Sequence, residues 1–369
     1  MNNSRDEKAF SASIHGCRAV AALAVLLFHW YQIFPAASSA IGGFFPYQSI
    51  LNPTTFLAFG WLGVPLFFIL SGYLLGGKVI HAPLNLGLLL GFWRRRFLRI
   101  YPAVWLHLAV LLVAAPWVTG LVEPAMWDAL GWQFALWINM PPNMQAPISN
   151  VMWTLPIELS FYLLLPFIGV LSRRMPWFLL LTMCLAITLL WRTWVMSYFE
   201  VAHYTAVLPW LDLLPGSLFT FMVGYSLNFL PSALPKQTVR RGVIVSVIAF
   251  LFMLQWQQWR GDVYWTGHWI LIVWPACVAV TLAGLVYFGT RHGPSDRWLS
   301  RPSMIWLGNI SFGIYLWHYP IMRGLLLVFP EQWQSVAMSL LALPIALCLT
   351  LPIAAVSYRF VERPLMGWR

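Results

Sequence analysis

Long apolar runs separated by short polar segments dominate the sequence of this 369-residue chain. A bilayer core of about 30 Å requires roughly 20 predominantly apolar residues in a helix that crosses it. Ten runs approach that length, which predicts an all-α, polytopic membrane helix bundle of about ten transmembrane helices. The predicted spans are 18–34, 59–77, 100–119, 152–171, 177–197, 209–230, 242–259, 268–289, 303–329 and 335–357. The apolar stretch 126–140 is shorter and is expected to be interfacial or re-entrant.

Composition excludes the other broad classes of protein. Hydrophobic residues make up 60% of the chain and charged residues only 9%, against about 45–50% and about 25% in soluble domains. Too few charges remain to cover a water-facing surface, and a chain this apolar does not stay disordered in water. Because no loop exceeds about 35 residues, we expect residues 1–369 to form one integral-membrane domain without an appended soluble domain. The first run is expected to be a retained span, because no small-residue cleavage site follows it cleanly.

The four cysteines give no sign of a metal site or a disulfide framework. They are widely spaced, lie in apolar runs and show no metal-ligand spacing. We therefore interpret them as small packing residues and expect no bound metal.

Lys and Arg residues indicate how the spans are oriented, since cytoplasmic loops of membrane proteins carry an excess of both. If the N-terminus is cytoplasmic and ten spans alternate, 18 of the 22 Lys and Arg fall in inner segments. Arg260 falls in an outer loop, whereas Arg18, Arg192 and Arg323 lie inside spans. This distribution predicts that both termini are cytoplasmic. It also attributes most of the net charge of +11 to membrane topology rather than to nucleic-acid binding.

The first span carries two polar residues on one face. Arg18 and His29 are eleven residues apart, which is close to three helical turns and places them about 16 Å apart along the axis. Ionisable side chains inside a span are costly, so they are expected to face a cavity or a partner. The alternative interpretation is an arginine that extends to the inner interface and a histidine at the outer interface.

Several other polar residues are expected at the depth of His29. Counting about 1.5 Å per residue along each span places Glu158, Asp212, His318 and Arg323 in the outer half of the membrane. These residues lie on different helices. Their shared depth predicts a polar chamber that opens to the outer side.

Four arginines cluster at positions 94, 95, 96 and 99, where the third span is expected to leave the inner side. Arg96 and Arg99 are three residues apart and therefore share a helix face. The planar guanidinium group suits bidentate binding of phosphate. The cluster predicts a site for a phosphorylated cytosolic ligand, with a positive-inside anchor as the alternative.

Six sequence blocks carry a resemblance to a known family. They are Ile14 to Arg18 continuing to His29, Gly63 to Tyr73, Arg94 to Pro102, Trp153 to Tyr162, Leu307 to Pro320 and Glu362 to Pro364. In motif and order these blocks resemble the acyltransferase 3 family of multi-span membrane acyltransferases, over essentially the whole chain. Three positions depart from the family pattern: His15 and Pro65 replace a usual acidic residue, and Leu159 replaces a frequent second glutamate.

The resemblance implies an O-acyltransferase of the bacterial inner membrane. Such an enzyme would move an acyl group, usually acetyl, from cytosolic acyl-coenzyme A to a hydroxyl of an extracytoplasmic glycan or lipid-linked sugar. Exopolysaccharide and O-antigen are examples of such acceptors. The implied partners are acetyl-coenzyme A as donor, the glycan acceptor, the lipid bilayer and other polysaccharide-assembly proteins.

Candidate roles follow from this interpretation. His29 is the expected general base, because imidazole titrates near neutral pH, and Glu158 is expected to orient it. The candidates for coenzyme A binding are Arg18, Arg94, Arg96 and Arg99. The candidates for acceptor binding are Trp153, Tyr162, Tyr315, His318 and Arg323. The aromatic members of that set are also typical of an interfacial belt.

Other mechanisms and functions stay open at this point. A covalent route would hold the acyl group on His29 or on Ser71 before delivery. A transporter or flippase of a lipid-linked sugar would also use polar residues near the midplane. A sensor or scaffold subunit is a third possibility, and it would not require His29.

Overall fold

The computed structural model describes residues 2–83, 85–122, 127–291 and 293–366, and within these ranges the chain is helical with no β-strand. The first half contains α1 (Asn2–Ile33), α2 (Pro35–Gly42), α3 (Pro53–Ala58), α4 (Gly63–Val79), α5 (Leu86–Ala114), α6 (Leu130–Ala135), α7 (Thr154–Leu171), α8 (Trp177–Tyr198) and α9 (Leu208–Leu211). The second half contains α10 (Leu214–Ser226), α11 (Lys236–Trp259), α12 (Gly261–Tyr264), α13 (Ile270–Gly289), α14 (Pro294–Leu299), α15 (Pro302–Asn309), α16 (Ser311–Val328), α17 (Val336–Ser357) and α18 (Arg363–Met366). The segment Tyr358–Glu362, between α17 and α18, is a π-helix.

The predicted membrane helix bundle is confirmed, with a small difference in the number of spans. Among the described residues, eight helical stretches are long and apolar enough to cross a membrane. Tyr204–Leu211 and Leu214–Phe229 form a pair bent by 61°, which makes a ninth if it is one span. The remaining predicted span, 303–329, corresponds to α15 and α16. It is not among these apolar stretches, and α16 carries His318 and Arg323 within its 18 residues.

The third span begins earlier than its hydrophobicity predicts. We expected it at 100–119, after the arginine cluster, but α5 starts at Leu86 and includes all four arginines. Two features favour this early start. The Asn85 side chain accepts a hydrogen bond from the Leu88 backbone N–H and caps the helix. Arginine is also a good helix former.

The stretch 126–140, whose first residue lies outside the described residues, contains only the short helix α6. Its Gln133 side chain is fully buried and forms hydrogen bonds with the backbone of the segment that follows. Gln133 donates to the Ala146 carbonyl at 3.0 Å and accepts from the Ile148 N–H at 3.0 Å. Ile138, Val151 and Met152 are each 1% exposed or less. The segment between α6 and α7 is therefore folded into the protein.

α1 lies between α4 and the pair α15 and α16, so residues along it can meet side chains from both sides. Helix α10 packs so closely against α4 that two of the contact positions have no room for a side chain. A Cβ added to Gly72 would lie 2.0 Å from the Phe221 carbonyl oxygen, and one added to Gly224 would lie 2.0 Å from that of Ile69. Such contacts between small residues are common where membrane helices pack. They fix the part of α4 that carries Phe68 and Ser71.

Candidate functional site

A chamber of about 780 Å³ lies at the end of α1 that carries His29. Its wall combines aromatic, amide and charged side chains. They include His29, Tyr31, Gln32, Trp61, Asn139, Asn150, Trp153, Arg192, Thr205, Asp212, Gln257, Gln258, Tyr264, Trp265 and Tyr315. A cavity of this size and mixed lining suits a polar organic ligand.

The His29 ring is nearly buried in the wall of this chamber and is held by a second histidine. Its Nδ1 lies 3.0 Å from His318 Nε2 and 3.1 Å from the Val25 carbonyl oxygen. The Tyr319 ring packs edge-on against it, with centroids 5.0 Å apart. These contacts occupy Nδ1 and leave Nε2 as the ring nitrogen for a substrate in the chamber.

A second, smaller cavity of about 60 Å³ shares Tyr315 with the chamber and is lined by two of the predicted arginines, Arg18 and Arg99. We call it the arginine pocket. Its polar lining residues are Arg18, Ser71, Arg99, Thr154, Glu158, Tyr162 and Tyr315. The side chains come from α1, α4, α5, α7 and α16, so distant parts of the sequence form it together.

Glu158 is the main acceptor in the arginine pocket. Ser71 Oγ donates to its Oε1 at 2.8 Å, and the Tyr162 hydroxyl donates to the same oxygen. Arg18 and Arg96 both interact electrostatically with Glu158. The carboxylate therefore compensates part of the positive charge that the arginines bring into the membrane.

The structure separates the arginines that the sequence grouped together. Arg18 Nε donates to Ser311 Oγ at 3.3 Å, and Arg99 lines the pocket. Arg96 lies over the Tyr162 ring, with its guanidinium carbon 6.0 Å from the centroid. Arg94 is exposed. Arg18 and Arg99 thus line the pocket and Arg96 lies beside it, against Tyr162, while exposed Arg94 contributes nothing to the described lining.

The expected pairing of Glu158 with His29 is wrong. Within the described ranges, the hydrogen-bond partners of Glu158 are Ser71 and Tyr162, and His29 is bonded to His318 and Val25 instead. The expected depth assumed that residue 152 is the outer end of the span. Depth along a span does not fix the direction of a side chain, and the structure turns Glu158 towards Arg18, Ser71 and Tyr162 rather than towards His29.

The structure places the five acceptor-binding candidates in different surroundings. Trp153 and Tyr315 line the chamber, while Tyr162 lines the arginine pocket together with Tyr315. His318 is fully buried behind His29, so the expectation that it contacts the acceptor is wrong. Arg323 is half-buried on α16 and lines neither the chamber nor the arginine pocket.

The other intramembrane charges form an ion pair in the chamber wall. Arg192 Nη1 lies 3.1 Å from Asp212 Oδ1 and donates to the Leu211 carbonyl, and Nε donates to the Leu271 carbonyl at 3.1 Å. Asp212 stands at the break between α9 and α10. The two charges therefore neutralise each other, and the contacts of Arg192 connect α8 to this break and to α13.

Glu362 is a residue whose placement the sequence did not predict. It is 4% exposed in the π-helix after α17, and it interacts electrostatically with Arg18 and Arg99. Ser357 Oγ donates to its Oε1 at 3.2 Å. The block Glu362 to Pro364 marked this region, but nothing in the pattern indicated that the C-terminal end returns to the arginines.

The chamber and the arginine pocket share a wall. Val64, Phe68 and Tyr315 line both cavities. Tyr315 is fixed in this shared wall, because its hydroxyl donates to the Val151 carbonyl at 2.7 Å and bonds to Thr154 Oγ1 at 2.8 Å. The fold is thus a polytopic membrane bundle in which an arginine-rich site adjoins a chamber with a histidine in its wall. No group of three or more His, Cys, Asp or Glu suited to a metal ion occurs in the described part of the chain.

These features belong to a known class of membrane enzyme. The sequence matches the profile of the acyltransferase 3 family, described as an acyltransferase domain, over residues 11–359. The chain therefore belongs to the acyltransferase 3 family, which the six sequence blocks had indicated.

Relatives with curated names support the same class. The chain is 26% identical to the peptidoglycan O-acetyltransferase OatA of Listeria monocytogenes, over 98% of this chain and 56% of that protein. It is 28% identical to the acyltransferase MdmB of Streptomyces mycarofaciens, over 96% of this chain and 91% of that protein. The O-acetyltransferase OatA of Staphylococcus aureus is 27% identical over 84% of this chain and 53% of its own length. The chain thus spans about half of each OatA protein and most of MdmB. No solved structure matches it significantly.

Proposed function

We propose that this chain is a membrane O-acyltransferase that transfers an acyl group, acetyl as the first candidate, from acyl-coenzyme A to a hydroxyl of an uncharged saccharide. The observation that carries the proposal is the wall that the two cavities share, formed by Val64, Phe68 and Tyr315. A donor held by the arginines can present its thioester at this wall. An acceptor in the chamber can meet it there, beside His29.

The donor site is inferred from the arginines. Coenzyme A carries several phosphates, and Arg96 and Arg99 offer planar guanidinium groups that bind phosphate well. Arg96 Nε is buried and has no hydrogen-bond partner among the described residues. A buried donor without a partner is costly, and a phosphate oxygen would satisfy it.

The transfer step is assigned to His29. His29 Nε2 takes the proton from the acceptor hydroxyl as the oxygen attacks the carbonyl carbon of the thioester. The new carbon–oxygen bond forms and the carbon–sulfur bond breaks. The leaving thiolate then takes the proton from the imidazolium, so that free coenzyme A and the acylated acceptor are the products.

The acceptor class is inferred from the lining of the chamber. Trp61, Trp153 and Trp265 offer faces on which a sugar ring can stack, and Gln32 and Gln257 offer amides for its hydroxyls. The charged lining residues, Arg192 and Asp212, already pair with each other. A carboxylate on the acceptor would therefore lose its hydration without gaining a free counter-charge. Peptidoglycan, which appears in the name of the Listeria relative, and exopolysaccharide or O-antigen are candidate sources of such sugars.

The proposed location is the bacterial inner membrane, with the arginine pocket nearer the cytoplasm. The excess of Lys and Arg in the predicted inner segments supports this orientation. The donor would then bind from the cytoplasm and the acceptor from the opposite side. Coenzyme A would be released to the cytoplasm.

The experiment that tests the proposal measures free coenzyme A thiol released by purified protein in detergent, with acetyl-coenzyme A and a saccharide acceptor. We expect acceptor-dependent release by the wild type and a loss of about 100-fold or more in His29→Gln, the scale of general-base catalysis. His81→Gln, which changes an exposed histidine, is the matched control. A transporter or scaffold would release no coenzyme A, and that result would refute the proposal.

A further inference from the structure

We infer that His318 is a positioning residue that fixes the tautomer of His29, so that His29 Nε2 presents a lone pair to the chamber. The inference deepens the proposed function and rests on it, because His29 acts there as the base. The observation behind it is the 3.0 Å contact between His29 Nδ1 and His318 Nε2, which joins α1 to α16.

The hydrogen positions in this contact follow from the carbonyl on the far side of His318. His318 Nδ1 lies 2.8 Å from the Ile314 carbonyl oxygen, which can only accept a hydrogen bond. Nδ1 must therefore carry the hydrogen in neutral His318. Its Nε2 then has a lone pair, and that lone pair faces His29.

The same reasoning applies to His29. Its Nδ1 faces two acceptors, the lone pair of His318 Nε2 and the Val25 carbonyl oxygen at 3.1 Å. If His318 carried its hydrogen on Nε2 instead, its Nδ1 lone pair would face the Ile314 carbonyl oxygen. The Nδ1 lone pair of His29 would then face the Val25 carbonyl oxygen. Both carbonyls thus favour one arrangement, in which His29 carries its hydrogen on Nδ1 and Nε2 is free to accept a proton.

The surroundings of His318 suit a positioning role rather than a binding role. The side chain is fully buried and lies behind His29 as seen from the chamber. Among the described residues, no Asp or Glu hydrogen bonds to either ring. In serine-protease triads a carboxylate orients the histidine. Here a neutral imidazole would do so, without introducing another charge into the membrane.

The test compares three variants of the purified protein. His318→Leu removes the acceptor for the His29 hydrogen. We expect kcat to fall about 10- to 100-fold, as when a residue that orients a functional histidine is lost elsewhere, with the donor KM unchanged. His318→Gln supplies a side-chain oxygen that can accept the same hydrogen, and we expect it to recover part of the loss.

His107→Leu is the matched control, because His107 is also a fully buried histidine and its ring nitrogens have no hydrogen-bond partner in the described ranges. It packs against Trp317, with ring centroids 4.8 Å apart. We expect its kcat to stay within about twofold of the wild type, since removing an unpaired buried polar group leaves no partner unsatisfied. An equal loss in His107→Leu and His318→Leu would mean that burial alone explains both, and would overturn the inference.

A spectroscopic readout tests the tautomer without relying on activity. In protein labelled with ¹⁵N-histidine, the His29 signals are identified as those missing from His29→Gln. We expect the wild type and His318→Gln to show hydrogen on Nδ1 alone, and His318→Leu to show both tautomers. If His318→Leu keeps the single Nδ1–H form, then Val25 alone fixes the ring and the inference is wrong.

These results separate the inference from the proposed function. If His29→Gln retains transfer, the proposed base is wrong, whatever the tautomer. If His29→Gln abolishes transfer while His318→Leu keeps the wild-type kcat, the proposed function stands and the role of His318 is refuted.

Discussion

Ser71 donates a hydrogen bond of 2.8 Å to Glu158, which joins α4 to α7 beside Arg18. The polar residues of the membrane region form two groups. Glu158 lies with the arginines, and His29 lies about three helical turns from Arg18 along α1, in the wall of the larger chamber. In the proposed mechanism the first group binds the charged donor, and His29 in the second group transfers the proton.

Loss of the Ser71 hydroxyl should destabilise the protein. The bond is to a carboxylate, and such bonds contribute about 1.5–3 kcal/mol, so we expect Ser71→Ala to lower the free energy of unfolding in detergent by about that amount. Ser160→Ala is the control, because Ser160 donates only to the Pro156 carbonyl of its own helix, a contact that adds little stability. Equal stabilities of the two variants would show that the Ser71 contact is not formed.

Arg99, which lines the arginine pocket, and Arg96, which lies beside it against Tyr162, should control donor binding. We expect Arg96→Ala and Arg99→Ala each to weaken acyl-coenzyme A binding by about 1.5–3 kcal/mol, which is roughly tenfold to hundredfold. Lysine at either position should recover only part, because an ammonium group lacks the planar fork. Calorimetric titration with acyl-coenzyme A measures the effect.

Arg95→Ala is the control for this series, because Arg95 is on the same helix and is exposed. Its donor affinity should match that of the wild type. Normal donor binding by both Arg96→Ala and Arg99→Ala would mean that these arginines serve only membrane topology.

The ion pair in the chamber wall should be important for stability. The Arg192 side chain is 4% exposed and that of Asp212 is 25% exposed, and removal of one partner of a buried pair costs up to about 3–5 kcal/mol. We therefore expect Asp212→Asn to lower the thermal unfolding temperature in detergent strongly. The double variant Arg192→Met with Asp212→Leu should recover much of the lost unfolding temperature, because no unpaired charge remains. A wild-type unfolding temperature for Asp212→Asn would contradict this role.

The sequence predicted the class of fold because hydrophobic length alone determines which helices can cross a bilayer. The prediction of individual spans failed where polar residues lie within helices. The start of α5 was missed because the predicted span began only after Arg99, at the apolar run, although Asn85 caps the helix earlier. α16 was predicted as an ordinary span, although its polar residues separate it from the apolar stretches.

The sequence identified most residues of the candidate site, but not which of them contact each other. Arg18, His29, Arg99 and Glu158 were all identified from spacing and motif, and all four line the two cavities. The partner of His29 was not, because a depth counted along one span gives neither the direction of a side chain nor its neighbours on other helices. Contacts between α1 and α16 join residues 289 positions apart, and periodicity within one helix carries no information about such contacts.

Acceptor charge should matter for turnover. Since Arg192 and Asp212 neutralise each other in the chamber wall, an acidic sugar would bury an unpaired carboxylate. We expect kcat/KM for a neutral glycoside to exceed that of the matching uronic acid glycoside by at least about tenfold, or roughly 1.4 kcal/mol. Both acceptors are assayed with the same donor and enzyme. Equal values for the pair would contradict the proposed selectivity.

The most direct test of the proposed mechanism is transfer across a bilayer in proteoliposomes with the protein in a single orientation. Labelled acetyl-coenzyme A is supplied on the side of Arg96 and Arg99, and the saccharide acceptor only on the other side. We expect label to reach the acceptor in the wild type and not in His29→Gln. Labelling that occurs only when donor and acceptor share one compartment would contradict the mechanism, because His29 would then be reached from the donor side.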